Sequence, residues 1–310
     1  MRLSVVVPCH NEQAVLPALY AELSERVPAL VAEYELVFVD DGSRDGTLEV
    51  LRELAGQDEH VRFVSFSRNF GKEAAIFAGL REATGDAVVL MDADLQHPPS
   101  LIGALLAELE PGVDQVIAER NRAGDPWLRT VLSRLYYRLM GRATDVPLSD
   151  GQGDFRLLSR RAVDSLLAMP ESNRFSKGLF SWIGFERRVV KYDNAARAAG
   201  ASSWSFGRLL NYGMDGVVSF NSRPLRILIW VGLTVALVSL AYAVVIVVQA
   251  LTDGVTAPGY VTLLVAITAL GGMQLVSLGV IGEYIGRIYQ EVKRRPPYIV
   301  RDRDHERVDA

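Results

Sequence analysis

The stretch AVVLMDADLQ, residues 87–96, joins an apolar run to two carboxylates that stand one residue apart. The run predicts a short buried strand, and Asp92 and Asp94 follow where that strand ends. Three similar apolar runs precede it, at residues 4–8, 35–40 and 61–66. Segments with helical spacing separate these runs, including residues 12–32. This alternation predicts βαβ units and a mostly parallel α/β sheet.

Acidic side chains follow two of the predicted strands. Asp40 and Asp41 come after one strand, and Asp92 and Asp94 come after another. Ligands of parallel α/β sheets bind at the carboxyl ends of the strands. Two neighbouring carboxylates there can share a hard divalent cation, which also bridges substrate phosphates. Such a pair is equally typical of turns and helix caps, so the pair alone leaves both interpretations open.

The composition of the chain changes after residue 224. The chain has 310 residues and is 49% hydrophobic, and the apolar excess lies in that last part. The formal net charge of -4 does not indicate a nucleic-acid partner. Cys9 is the single cysteine and has no partner for an intramolecular disulfide, which fits a reducing compartment.

Two long apolar segments predict membrane spans at residues 225–251 and 259–282. Each segment is long enough to cross a hydrocarbon core of about 30 Å, which needs about 20 helical residues. Basic residues flank the pair, and the connection between them has no Lys or Arg. The positive-inside rule therefore predicts a multi-pass protein of the inner cell membrane with both termini in the cytosol. A buried helical hairpin in a soluble core is the alternative.

The remaining boundaries follow from these spans. We expect a cytosolic domain over residues 1–200, an amphipathic juxtamembrane segment over 201–224, and a basic cytosolic tail over 283–310. The aromatic and apolar residues of the middle segment predict a helix in the headgroup region. A surface helix packed on the domain is the alternative.

Several motifs occur in a fixed order along the chain. They are VVVPCHNEQAVL (5–16), VFVDDGSRDGT (37–47), SRNFGKEAAIFAGL (67–80), LMDADLQHPP (90–99) and GDFRLLSRRAV (153–163). The set resembles the inverting family 2 glycosyltransferases with a GT-A fold. Within them it resembles the branch of dolichol-phosphate mannose synthases and bacterial polyprenyl-phosphate glycosyltransferases. The resemblance extends from about residue 3 to residue 300, and it implies a GT-A catalytic domain, an interfacial helix and two transmembrane helices.

The resemblance implies a role for each matching residue. A nucleotide sugar is expected to bind to Pro8, Asn11, Glu12, Asp40, Asp92, Ala93, Gln96 and Arg120. Mg²⁺ or Mn²⁺ is expected on Asp92, Asp94 and Gln96. The residues expected to take part in catalysis are Asp94, Asp154 and Arg156. An arginine suits a phosphate clamp because its guanidinium is a planar fork of donors.

Other polar residues have less specific expectations. We expect Asp41 to brace the turn that contains it and His97 to be structural. The acceptor phosphate is assigned to Arg174, Lys177, Arg197 and Ser203. Ser203 stands where relatives often carry a lysine. Solvated surface charges are an equal interpretation of Lys72, Arg174 and Lys177.

The reaction implied is transfer of a hexose from a nucleotide sugar to polyprenyl (undecaprenyl) phosphate, with inversion, at the cytosolic membrane face. UDP-glucose ranks first as donor, before other UDP-sugars and GDP-mannose. A glycolipid synthase with a different lipid acceptor, a processive polysaccharide synthase and a non-catalytic membrane scaffold are the alternatives. The family resemblance also implies a homo-oligomer.

Overall fold

The computed structural model describes residues 1–120, 152–169, 171, 174–192, part of 230–252, and 259–304. The first half alternates strands and helices: β1 (Arg2–Cys9), α1 (Leu16–Leu30), β2 (Glu33–Asp40), α2 (Thr47–Gln57), β3 (Val61–Phe66), α3 (Lys72–Glu82), β4 (Ala87–Leu90) and, after the 3₁₀ turn Pro99–Leu101, α4 (Ile102–Ala107). The second half comprises β5 (Gln115–Arg120), β6 (Gln152–Ser159), α5 (Arg160–Leu167), α6 (Ser176–Trp182), β7 (Arg187–Tyr192), α7 (Tyr260–Val292) and β8 (Val300–Arg303).

The eight strands form one mixed sheet in the order β7-β5-β6-β4-β1-β2-β3-β8. The central pairs β1/β2, β1/β4 and β2/β3 are parallel, as the sequence predicts. β6 lies antiparallel between β4 and β5, and β8 is antiparallel to β3. The carboxyl ends of β1, β2 and β4 therefore meet at one edge of the sheet.

Alternating side chains of β1 support the two faces of the sheet, because successive residues of a strand point to opposite sides. Val5 packs with α1 residues such as Leu19 in one buried cluster. Val6 packs with Ile76 of α3 and Leu179 of α6 in a second cluster on the other face. Burial of these apolar side chains fixes the register of the central strands.

The segment after the second predicted span contributes a strand to the sheet. Residues 300–303 form the edge strand β8, in register with β3 through Val64–Arg303 and Ser65–Asp302. Asp302 also accepts a hydrogen bond of 2.6 Å from Arg52 Nη2. Residues 300–303 of the predicted basic cytosolic tail (283–310) therefore belong to the sheet.

The predicted membrane spans are not confirmed by the described residues. In that part of the chain, no helix combines the length and the apolar composition needed to cross a membrane. The amphipathic segment at residues 201–224 lies outside the described residues.

Tyr298 fastens β8 to the sheet, so we expect Tyr298→Ala to lower the free energy of unfolding by about 2 kcal/mol. Its ring stacks on Phe66 with a centroid distance of 4.7 Å, and the neighbouring Ile299 carbonyl accepts a 2.9 Å hydrogen bond from Ser67 N. Denaturant unfolding in detergent measures the loss. Tyr289→Ala, at an exposed position of α7, is the matched control and should cost about 0.5 kcal/mol or less. Equal losses in the two variants would contradict this role of Tyr298.

Candidate functional site

The loops after β1 and β2 are held together by backbone-to-side-chain hydrogen bonds. Asn11 N donates to Ser43 Oγ at 2.9 Å, and Asn11 Oδ1 accepts from Arg44 N at 2.9 Å. Glu12 N donates to Thr47 Oγ1, also at 2.9 Å. The structure therefore places Asn11 and Glu12 at the carboxyl edge of the sheet, beside the last residues of β1, where Pro8 lies. Their contact with a nucleotide stays a prediction.

Asp40 ends β2 and is buried. Its Oδ1 accepts from Ser43 N at 3.0 Å, and its Oδ2 accepts from Ser65 Oγ at 2.6 Å. The side chain is only 1% exposed, so both carboxylate oxygens bind groups of the fold in this arrangement. Binding of the nucleotide base by Asp40 stays a prediction.

Asp41 braces a different loop from the one expected. Its carboxylate accepts from Phe70 N at 2.6 Å and from Gly71 N at 3.0 Å, at the start of α3. The turn after β2 is instead bonded by Asp40, so the prediction for Asp41 is wrong in its partner. Gly42, with φ of +61°, lies against this second loop: a Cβ atom there would meet the backbone carbon of Arg68 at 2.2 Å.

Asp92 and Asp94 follow β4 and lie at the open edge of the sheet. Both side chains are partly exposed, whereas Ala93 between them is 3% exposed. Asp94 Oδ1 accepts a 3.1 Å hydrogen bond from the backbone N of Gln96. This bond holds the turn after the strand.

Lys72 is the site residue that sequence reasoning undervalued. Its ammonium lies 2.5 Å from Asp92 Oδ1 and 2.6 Å from Asp154 Oδ2. Burial opposes protonation, but the carboxylates of Asp154 and Asp92 raise the pKa of Lys72, so the ammonium is charged. The interpretation of Lys72 as a solvated surface charge is therefore wrong.

Asp154 lies on β6, and its side chain is 14% exposed. Burial alone would raise its pKa. The charges of Lys72 and Lys177 outweigh burial and hold the pKa of Asp154 well below the usual range of a carboxyl group. Asp154 is therefore an anion at neutral pH. Lys72 contacts both Asp154 and Asp92 and so links the two carboxylates.

Arg156 lies two residues further along β6 and is 3% exposed. Its Nη2 donates to Gly153 O at 2.7 Å, and its guanidinium lies 3.7 Å from the centroid of the Phe180 ring. Burial lowers the pKa of Arg156 to about 10, so it remains charged at neutral pH. Its charge acts on Asp154, two residues earlier in the same strand. Its action as a phosphate clamp stays a prediction.

His97 packs beside the carboxylates, in agreement with the structural role expected from the sequence. Its Nδ1 shares a 2.7 Å hydrogen bond with Tyr192 Oη, and its Nε2 lies 3.8 Å from Asp92 Oδ2. Burial lowers the pKa of His97, so the imidazole is neutral at pH 7. A neutral ring fixed by Tyr192 supports the position of Asp92.

The residues assigned to the acceptor phosphate are only partly described. Arg174 donates to the carbonyl oxygens of Met169 and Leu166 and lies 4.4 Å from the Phe77 ring centroid, so it is not a solvated charge. Lys177 lies on α6, where its charge acts on Asp154. Arg120 ends β5, and its side chain is outside the description, as are Arg197 and Ser203 altogether.

The carboxylates suit a divalent cation that brings other ligands with it. Among the described residues, no group of three or more His, Cys, Asp or Glu side chains is arranged to hold a metal ion. Asp92 and Asp94 supply hard oxygen donors, and Mg²⁺ and Mn²⁺ accept such donors together with water and substrate phosphate oxygens. The donor set therefore fits an ion that binds with a diphosphate. Gln96 reaches Asp94 here through its backbone amide.

Comparison with known proteins shows where this arrangement occurs. The model of the family "Glycosyl transferase family 2" matches residues 4–167, and the model "GtrB C-terminal hairpin" matches residues 223–288. CsbB of Bacillus subtilis (strain 168), a provisionally named glycosyltransferase, is 50% identical over 97% of this chain and 91% of its own. The SfII prophage-derived bactoprenol glucosyl transferase of Shigella flexneri is 42% identical over 97% of this chain and 98% of its own.

One solved structure shows the same fold. It is the glucosyl-3-phosphoglycerate synthase of Mycobacterium tuberculosis, crystallised with Mn²⁺, uridine diphosphate and phosphoglyceric acid. The TM-score is 0.50 at 22% identity, over 70% of this chain and 76% of that one. The likeness shows a GT-A-like α/β domain with a mostly parallel sheet.

Proposed function

This chain belongs to glycosyl transferase family 2, and we propose that it transfers glucose from UDP-glucose to a polyprenyl phosphate. The observation that carries the proposal is the cluster at the carboxyl edge of the sheet, where Asp92 and Asp94 lie beside Lys72 and Asp154. Such a cluster suits a diphosphate donor with its cation. The bactoprenol glucosyl transferases, similar over nearly their whole length, support the sugar and the lipid acceptor.

The acceptor chemistry explains why the site has carboxylates and cations but needs no general base. A phosphate monoester has a second pKa of about 6, so its oxygen is already an anion at neutral pH. That oxygen attacks the anomeric carbon while the bond to the nucleoside diphosphate breaks, with inversion. The chain must hold two anionic reactants in line, which is a task of positioning and charge.

Different residues of the chain carry out the positioning and the charge stabilisation. Asp92 and Asp94 would hold Mg²⁺ or Mn²⁺, which neutralises the departing diphosphate when it is bound. Asn11 and Glu12 lie at the edge of the sheet where the nucleotide enters. Asp154 fixes Lys72, and together they place one positive and one negative charge next to the reacting groups.

We also propose that the C-terminal hairpin lies in the membrane and brings the domain of residues 1–200 to its acceptor lipid. The match to a C-terminal hairpin family covers both predicted spans, at residues 225–251 and 259–282. Large apolar side chains on these helices are exposed, and they include Trp230, Leu237, Leu251, Leu263, Leu275 and Val276. A large exposed apolar surface is typical of contact with lipid or with other copies. This supports a membrane protein and a homo-oligomer within the bilayer, and the basic residues that flank the two segments support an inner-membrane protein with both termini in the cytosol.

The donor is tested by incubating the purified protein in detergent with undecaprenyl phosphate, Mg²⁺ and one labelled nucleotide sugar at a time. UDP-glucose, UDP-GlcNAc, UDP-galactose and GDP-mannose form the panel. We expect label from UDP-glucose to move into the organic phase, and we expect chelator to abolish the transfer. Transfer from GDP-mannose alone would contradict the donor. In a parallel incubation with diacylglycerol as the acceptor, transfer there and none to undecaprenyl phosphate would contradict the acceptor.

A further inference from the structure

The ammonium of Lys72 binds the carboxylate of Asp92, which is also a ligand of the proposed metal ion. The ammonium lies 2.5 Å from Asp92 Oδ1, which is hydrogen-bonding distance. The other oxygen of Asp92 faces the Nε2 atom of His97 at 3.8 Å. A divalent cation on Asp92 would therefore bind within a few ångströms of the ammonium, whose like charge opposes the cation until the ammonium moves away.

We propose that Lys72 is a placeholder for the divalent cation, occupying Asp92 until the cation arrives with the nucleotide sugar. The inference rests on the proposed metal-dependent function of the same site. Lys72 then leaves Asp92 and keeps its contact with Asp154. The protein alone binds the cation weakly, and the diphosphate and the cation bind with strong positive coupling.

The balance of charge around Lys72 supports this role. Asp92, Asp94 and Asp154 lie close together. Burial raises the pKa of the nearby Glu12, and the charges of Asp94 and Asp92 raise it further. Lys177 and Arg156 act on Asp154, so Lys72 is the cation that contacts Asp92 among the ion pairs described. The ammonium offsets part of the negative charge by bridging Asp92 and Asp154, and an arriving cation makes the contact with Asp92 dispensable.

The anchoring of Lys72 also suits an exchange of partners. The backbone before it is fixed, because Asp41 accepts hydrogen bonds from the amides of Phe70 and Gly71. The side chain of Lys72 is 45% exposed and has a flexible four-carbon stem, so its ammonium can leave Asp92 without movement of α3. Asp154, 14% exposed on β6, is the fixed partner that retains it.

Calorimetric titration with Mn²⁺ tests the placeholder without measuring activity. Wild type, Lys72→Gln and Lys72→Arg are titrated in the absence and in the presence of UDP. We expect Lys72→Gln to bind Mn²⁺ about tenfold more tightly than wild type without UDP, because the competing charge is gone. UDP should then increase the affinity for Mn²⁺ less in Lys72→Gln than in wild type, because in the variant no ammonium has to leave Asp92 when the diphosphate arrives.

The controls separate a local role from a change in total charge. Lys72→Arg keeps the charge and should resemble wild type. Arg26→Gln removes one positive charge from the exposed surface of α1 and should also resemble wild type. Lys72→Met repeats the test with an apolar stem, and thermal melting confirms that each variant is folded.

Two results would overturn the inference, and they differ in what else they affect. If wild type, Lys72→Gln and Lys72→Met bind Mn²⁺ with equal affinity without UDP, and UDP still promotes binding, the placeholder role of Lys72 is wrong. The proposed metal site is then unaffected. Failure of every protein to bind Mn²⁺ even with UDP removes the metal-dependent function together with the placeholder.

Discussion

Asp94→Ala is expected to reduce glucosyl transfer by about a thousandfold, the largest effect of any single substitution proposed for this chain. Asp94 supplies one of two carboxylates that follow β4, and the described residues offer no third acidic or imidazole ligand in a group that holds a metal. Loss of one of so few protein ligands leaves the charge of the departing diphosphate poorly neutralised. The initial rate of label transfer from UDP-glucose to the lipid measures the effect.

A matched control distinguishes the site from the general cost of removing an aspartate. Asp164 lies on α5 with its side chain 65% exposed and pairs only with Arg160 in the preceding turn of the helix, among the ion pairs described. Asp164→Ala should therefore transfer at nearly the wild-type rate. If Asp94→Ala kept a tenth of the wild-type rate at saturating Mg²⁺, the assignment of Asp94 to the metal would be wrong.

The central strands were predictable from the sequence because their signal is local. The apolar runs at residues 4–8, 35–40 and 61–66 lie within β1, β2 and β3, which extend at most two residues beyond them. These strands are buried on both faces, so they are almost continuously apolar. The edge strand β8 has the sequence VRDR, with no such run. Its position depends on pairing with β3, more than 200 residues away in the chain.

The site also combines residues that have a local sequence signal with residues whose position depends on distant strand pairing. Asp92 and Asp94 were predictable because they directly follow a strand, and the edge of a parallel sheet binds ligands. The contact of Lys72 with Asp92 and Asp154 depends on the antiparallel register of β4 with β6, in which Leu90 pairs with Arg156. Extending that register by two residues places Asp92 opposite Asp154. The sequence contains no local signal for this register, so Lys72 resembled any exposed lysine at the start of a helix.

Asp154→Asn is the second large effect, and we expect turnover to fall about a hundredfold with the KM for UDP-glucose nearly unchanged. The amide keeps the shape of the side chain and loses the charge that fixes Lys72 at 2.6 Å. Single-substrate kinetics at saturating undecaprenyl phosphate measure both constants. Full turnover in Asp154→Asn would show that the charge of Asp154 has no role in the reaction.

Two further measurements show whether Asp154 positions charge or removes a proton. If it positions charge, the rate of Asp154→Asn still rises with pH near 6, because that rise reports ionisation of the acceptor phosphate. A rise present in Asp154→Asn but absent in wild type would indicate a general base, because only the variant would then depend on prior ionisation of the acceptor. If Asp154 acts through Lys72, the double variant with Lys72→Met should be no slower than Asp154→Asn alone, since the two side chains form one unit. Additive losses would show instead that each side chain contacts a different reactant.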